Sequence, residues 1–156
     1  MSEPHVRLAG SVAKVNGTAL TRARAPAFHA SLPAEEPSIT GMRHALLAWV
    51  DAFRDEEWRR ADIELAVSEA CTTVVLHAYP TGRPGLIDVS ADVVDHALTV
   101  TVTDTGVGMR PRADSPGAGL GLSTLSAVST AVVINARTTG TALLLTFEPR
   151  HDRDLD

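Results

Sequence analysis

The segment from Ile87 to Asp104 constrains the fold more tightly than any other. Ile87, Val89, Ala91 and Val93 alternate with Asp88, Ser90 and Asp92. After Asp95-His96, Leu98, Val100 and Val102 alternate with Thr99, Thr101 and Thr103. Two period-two runs joined by a short polar break predict a hairpin with one apolar and one polar face. The apolar face has to be covered by another layer. The row Leu98, Val100, Val102 continues in phase to Asp104, which puts a carboxylate on the buried side of a strand end. Such a group costs on the order of several kcal/mol to bury unless something hydrogen-bonds it, so it wants a partner.

The rest of the chain supplies the covering layer. Ala27–Leu32 alternates weakly and reads as an edge strand, and Pro33–Pro37 as a turn. Ser38 or Thr40 can cap a helix running to about Arg54. Ile39, Met42, Leu46, Trp49, Val50 and Phe53 share one face of it. A second helix is expected over about Trp58–Ala78, with Ile63, Ala66, Val67, Ala70 and Val74 toward the core. Glu69 and Thr73 sit one turn apart, rotated about 80–100° from that stripe, where side chains can line a cleft. His77 falls nearer the core face and reads as a structural hydrogen-bonder. Met109–Pro116 is too polar for the core and reads as a loop. Gly117–Leu122 opens a helix to about Val128, and Ala131–Ala136 and Thr141–Phe147 form a hairpin across Thr138-Thr139-Gly140. The order β, α, α, β, β, loop, α, β, β favours an α+β two-layer sandwich, a mixed, mostly antiparallel sheet with helices on one face. It lacks the repeated βαβ context that a dinucleotide-binding reading of the glycines requires.

Residues 1–25 carry no sustained period, apart from a short strand expected at Val6–Leu8, and read as a poorly ordered extension. Residues 26–148 read as one domain and 149–156 as a charged tail. A net charge of -5 argues against non-specific nucleic-acid binding. Arg22, Arg24, Arg54, Arg59 and Arg60 read as solvated rather than as a patch. No apolar run suits a membrane span and no leader pattern opens the chain, so a cytoplasmic protein is the expectation. The single cysteine, Cys71, excludes an internal disulfide framework.

Three clusters carry chemistry. Asp104 can accept a hydrogen bond from the exocyclic amine of a purine, with Gly106 and Gly108 letting the backbone pass close to the base. Gly117, Gly119 and Gly121, with Leu120 and Leu122 between and after, can turn backbone N–H groups and a helix N-terminus toward phosphate. Glu69 can act as a general base for attack on a γ-phosphate. Arg110 and Arg112 can clamp the terminal phosphate. Each signal alone also fits a blander role: a strand-ending acid, a flexible loop, a surface glutamate.

Their order and spacing resemble a known family. Glu69-Ala70-Cys71-Thr72-Thr73, continuing to His77-Ala78-Tyr79, is similar to the N box of the GHKL (Bergerat-fold) ATPases. Asp104-Thr105-Gly106-Val107-Gly108 resembles their G1 box, and Gly117-Ala118-Gly119-Leu120-Gly121-Leu122 their G2 box. Gly140-Thr141 resembles the closing Gly-Thr, whose hydroxyl lies near the adenine. Val67-Ser68-Glu69-Ala70-Cys71-Thr72 and His77-Ala78-Tyr79 point to the anti-sigma factor serine-protein kinase branch. The resemblance covers about residues 27–148. It implies ATP and Mg²⁺ as cofactors, a sigma factor that is sequestered, and a STAS-type anti-anti-sigma protein phosphorylated on Ser or Thr. It also implies a homodimer as an option, for which the exposed part of the Ile39–Phe53 stripe is the candidate surface. Neither nucleic acid nor a membrane is implied as a direct partner.

The departure is at Thr73, where the family places the asparagine that helps to hold Mg²⁺. Threonine offers a shorter, branched hydroxyl. Two outcomes stay open: a metal-bound water held by Thr73, or nucleotide binding with weakened or lost phosphoryl transfer. Two rival readings also stand, a degenerate nucleotide-binding or interaction-only module and a histidine-kinase-type ATPase domain. Against the latter, His44 has neither the following acid nor the downstream proline of a phosphoacceptor box.

Overall fold

The computed structural model describes residues 27–54, 56–107 and 118–150. Five strands and three helices follow in the order β1 (Phe28–Pro33), α1 (Glu36–Val50), α2 (Arg60–His77), β2 (Leu86–Val94), β3 (Ala97–Asp104), α3 (Ala118–Val128), β4 (Ala131–Arg137) and β5 (Gly140–Phe147). The strands form one sheet in the order β1-β2-β3-β5-β4, with β1 at an edge as its weak alternation predicts. A mixed sheet was the expectation; every pairing among the described residues is antiparallel. The chain leaves β3, passes through α3 and enters β4 at the far edge. β5 then turns back into the gap beside β3, which keeps that pairing antiparallel.

The hairpin that opened the sequence forms in the expected register, with Val89 opposite Val102 and Ala91 opposite Val100. Its turn is closed by Asp95 and His96, with φ of 50° and 68°. Two consecutive left-handed residues give the twist that a two-residue hairpin turn needs. Ile87, Val89, Leu98, Val100 and Val102 are buried beneath the helices. The other face carries Asp88, Ser90 and Asp92 opposite Thr103, Thr101 and Thr99.

The helices differ from expectation in their starts. α1 begins at Glu36, its Glu35 cap is extended and makes no side-chain cap hydrogen bond, and Pro37 lies in the first turn. Neither Ser38 nor Thr40 caps it. Proline is preorganised for a first turn and gives up an N–H that would have no helical partner there. The helix ends at Val50, before the expected Arg54. Phe53 nevertheless joins a row of tilted and edge-on rings: Phe28 to Trp49 at 5.9 Å, Trp49 to Phe53 at 4.8 Å and Phe53 to Trp58 at 5.8 Å. Trp58 stands before α2, and its indole N–H donates to the His96 carbonyl at 3.0 Å. The candidate dimer stripe is mostly spent inside the fold, because Met42, Leu46 and Val50 are buried and Ile39 and Trp49 pack against the core.

The strand proposed at Val6–Leu8 lies outside the described residues. Among them, no helix is long and apolar enough to cross a membrane.

Candidate functional site

The buried row of β3 ends, as its phase predicts, on Asp104, which is only 2% exposed. The carboxylate finds its partners in the backbone. Gly106 N–H donates to Oδ1 at 2.9 Å, and the Thr141 N–H, across the β3–β5 ladder, donates as well. Burial raises the carboxyl above the usual carboxylate range, and the two backbone bonds pull it partly back. An ionised carboxylate has about four acceptor positions. Two N–H groups therefore leave capacity for a donor arriving from outside.

The turn after Asp104 is seated on the end of α2. Val107 N–H donates to the Ala78 carbonyl at 2.8 Å. A Cβ built on Gly106 would come within 1.8 Å of that same oxygen. Glycine at 106 thus makes room for a helix end. Gly140 sits at the same crossing: its φ is +132°, and a Cβ there would lie 2.0 Å from the Asp104 carbonyl oxygen. Thr141, which follows it, is buried beside Asp104.

The Tyr79 hydroxyl closes this end of the site. It donates to the Leu86 carbonyl at 2.6 Å and accepts from the N–H groups of Leu86 and Thr105, both at 3.1 Å. Its ring covers Gly85, where a Cβ would meet ring carbons at 2.2 Å. In the sequence Tyr79 stands out only as the last residue of His77-Ala78-Tyr79. Its signal was that the chain's one tyrosine stands between a helix end and a proline.

At the other end, Glu69 and Thr73 stand half-buried on the flank of α2, as the helical wheel places them. They face α3: a Cβ added to Gly121 would lie 3.7 Å from Thr73 Oγ1 and 3.9 Å from Glu69 Oε2. The glycine cluster is the first turn and a half of α3, with Gly119, Leu120, Gly121 and Leu122 all helical. Thr73 also spends its proton inside its own helix, donating to the Glu69 carbonyl at 2.9 Å. His77 is exposed rather than turned to the core, since Ala78 takes the buried position at the end of α2. Gly108, Arg110, Arg112 and Gly117 lie outside the described residues.

Helices thus layer over one face of an antiparallel sheet, with a carboxylate at a strand end and two helices meeting at a glycine. Residues 32–147 match the family model described as the histidine kinase-like ATPase domain, and the chain belongs to that family. Among solved structures the chain is similar to the RsbU and RsbW domains of Rv1364c from Mycobacterium tuberculosis. The TM-score is 0.65 and the identity 26%, over 86% of this chain and 36% of that one. It also shares its fold with the blue-light activated histidine kinase of Erythrobacter litoralis EL346, at TM-score 0.51 and 24% identity, over 62% of this chain and 32% of that one. The chain spans about a third of the length of either. No curated protein sequence matches it.

The family's chemistry implies magnesium. Among the described residues no three or more His, Cys, Asp or Glu side chains gather into a metal site. Glu69 and the Thr73 oxygen fit magnesium's other mode, in which one or two protein groups assist while phosphate oxygens and water complete the shell.

Proposed function

We propose that this chain is an ATP-binding anti-sigma factor of the serine/threonine-kinase type. It phosphorylates a Ser or Thr of a STAS-type anti-anti-sigma protein and restrains transcription by sequestering a sigma factor, in the cytoplasm. The observation that carries the reading is the convergence of Glu69 and Thr73 on Gly121, with Asp104 held at a strand end by backbone donors. Similarity to a chain with an RsbW domain supports the choice of branch.

In this reading residues 26–148 form the nucleotide-binding unit. Asp104 accepts the adenine amine, with Gly106 and Thr141 fixing the carboxylate. The N-terminal turn of α3, from Gly119 through Leu122, turns its N–H groups and positive dipole end to the phosphates. The family resemblance assigns Gly108, Arg110, Arg112 and Gly117 to the same nucleotide-binding role. The partner hydroxyl attacks the γ-phosphorus, the bridging P–O bond breaks, ADP leaves with the electron pair, and Glu69 takes the proton. Glu69 and Thr73 would stand beside a bound magnesium ion, which would neutralise charge on the phosphates.

A second reading, nucleotide binding with little transfer, draws on the Thr73 side chain. Its hydroxyl is shorter than the family's asparagine and is tied back to its own helix by donation to the Glu69 carbonyl, so it reaches less far toward a metal ion. One experiment separates the cases: incubate the protein and its Thr73→Asn variant with ATP, Mg²⁺ and the STAS protein of its own operon, and read phosphoserine or phosphothreonine by mass. Transfer that rises with Thr73→Asn identifies position 73 as limiting; an unchanged rate rejects that idea. Nucleotide binding without transfer in either protein supports the binding-only reading. No nucleotide binding, with or without Mg²⁺, defeats the proposal and leaves an interaction module.

A further inference from the structure

The Tyr79 hydroxyl joins three segments that are distant in sequence: the end of α2, the start of β2 and the turn that follows Asp104. Its one proton goes to the Leu86 carbonyl, so the lone pairs are left to accept from Leu86 N–H and Thr105 N–H. Thr105 lies between Asp104 and Gly106, and Gly106 N–H is the bond that sets Asp104 Oδ1. The turn is thus pinned on both sides of that bond, by Tyr79 at residue 105 and by the Ala78 carbonyl at residue 107. Gly85 is what admits the ring, because any side chain there would strike it.

We infer that Tyr79 is a positioning residue for purine selection: its hydroxyl fixes the Thr105–Gly106 backbone and through it the direction in which the Asp104 carboxylate faces a base. The inference rests on the nucleotide reading above and deepens it. Adenine offers an amine where guanine offers a carbonyl oxygen. A rigidly aimed carboxylate favours the first and repels the second, and one free to swing discriminates less. The Tyr79 bonds lie at the exposed end of the site, where water can satisfy the same N–H groups. The hydroxyl is therefore more important for aim than for holding the fold together.

The test compares ATP and GTP affinities by titration calorimetry for the full chain, Tyr79→Phe, Gly85→Ala and the double variant. Tyr79→Phe keeps the ring over Gly85 and removes only the hydroxyl. Gly85→Ala keeps the hydroxyl and pushes the ring away. Each single variant is expected to weaken ATP binding about tenfold, in the range that loss of precise placement costs. GTP binding should change little, so the ATP-to-GTP preference narrows by a similar factor. The double variant should match the singles, since both act through one contact. A structural defect would weaken both nucleotides together and leave the ratio intact. Wild-type preference retained by both single variants would overturn the inference alone. Loss of a cooperative melt in both would overturn it by making Tyr79 a fold element. A wild-type chain that binds no nucleotide would overturn the nucleotide reading and this inference with it.

Discussion

Replacing Asp104 by asparagine separates what the carboxylate does for the fold from what it does for a ligand. The two side chains have nearly the same shape, and the amide oxygen can still accept from Gly106 N–H, which lies 2.9 Å away. That choice turns the amide NH₂ toward the cleft, where it meets a purine amine donor to donor. The lost bond is charge-assisted, worth about 1.5–3 kcal/mol, so ATP should bind roughly ten- to a hundredfold more weakly. Stability should respond through the proton that the carboxyl group binds. Burial raises the Asp104 pKa above its ordinary 3.8, so the folded state holds the proton more tightly than the unfolded chain does. The contribution of this acid to stability therefore falls as pH rises from the unfolded pKa through the folded one, and stays low at neutrality. Asparagine carries no such dependence. Urea unfolding of the ligand-free protein between pH 3 and 8 should show a flatter profile for Asp104→Asn in the acid range; any loss of the Thr141 N–H bond to the amide lowers its stability equally at every pH. Wild-type ATP affinity in the variant would refute purine recognition by the carboxylate. A variant that keeps the wild-type pH profile would refute the reasoning on burial.

Three further perturbations probe the same structure. Gly121→Ala meets Thr73 Oγ1 and Glu69 Oε2 only at ordinary contact distance, 3.7 and 3.9 Å, and should raise stability by about 0.5–1 kcal/mol, as Gly-to-Ala changes inside helices do. Nucleotide affinity should nevertheless fall as the methyl fills the cleft, so thermal melting and ATP titration should move in opposite directions. Gly140→Ala puts a Cβ 2.0 Å from the Asp104 carbonyl oxygen at a φ of +132°, and should cost about 3 kcal/mol or more in urea unfolding. Cys71 is buried and its thiol is pushed up to about 12, so a maleimide should label it only at the rate of global unfolding.

Much of this fold was legible because period-two patterning depends on residue type alone. The β2–β3 hairpin, its Asp95-His96 turn and the buried phase of Asp104 all follow from alternation, and each appears in the structure. The α2 wheel likewise set Glu69 and Thr73 on a flank. What stayed hidden were contacts between segments far apart in sequence. Gly106 makes room for the Ala78 carbonyl at the end of α2, a contact that no local pattern announces. Tyr79 and Gly85 gave no periodic signal, because their role arises where a helix end, a strand start and a turn meet. The α1 start was misplaced for a local reason. Ser38 and Thr40 have cap chemistry, but a proline in the first turn set the start earlier.

Backbone amide spectra recorded during an ATP and Mg²⁺ titration test the central claim most directly. Saturable shifts at Gly106, Thr141 and Gly121, with the Asp95-His96 turn at the far end of β3 unmoved, are the predicted result. No shifts, or shifts gathered at that far turn with the three amides silent, would contradict a nucleotide site between α2, α3 and Asp104.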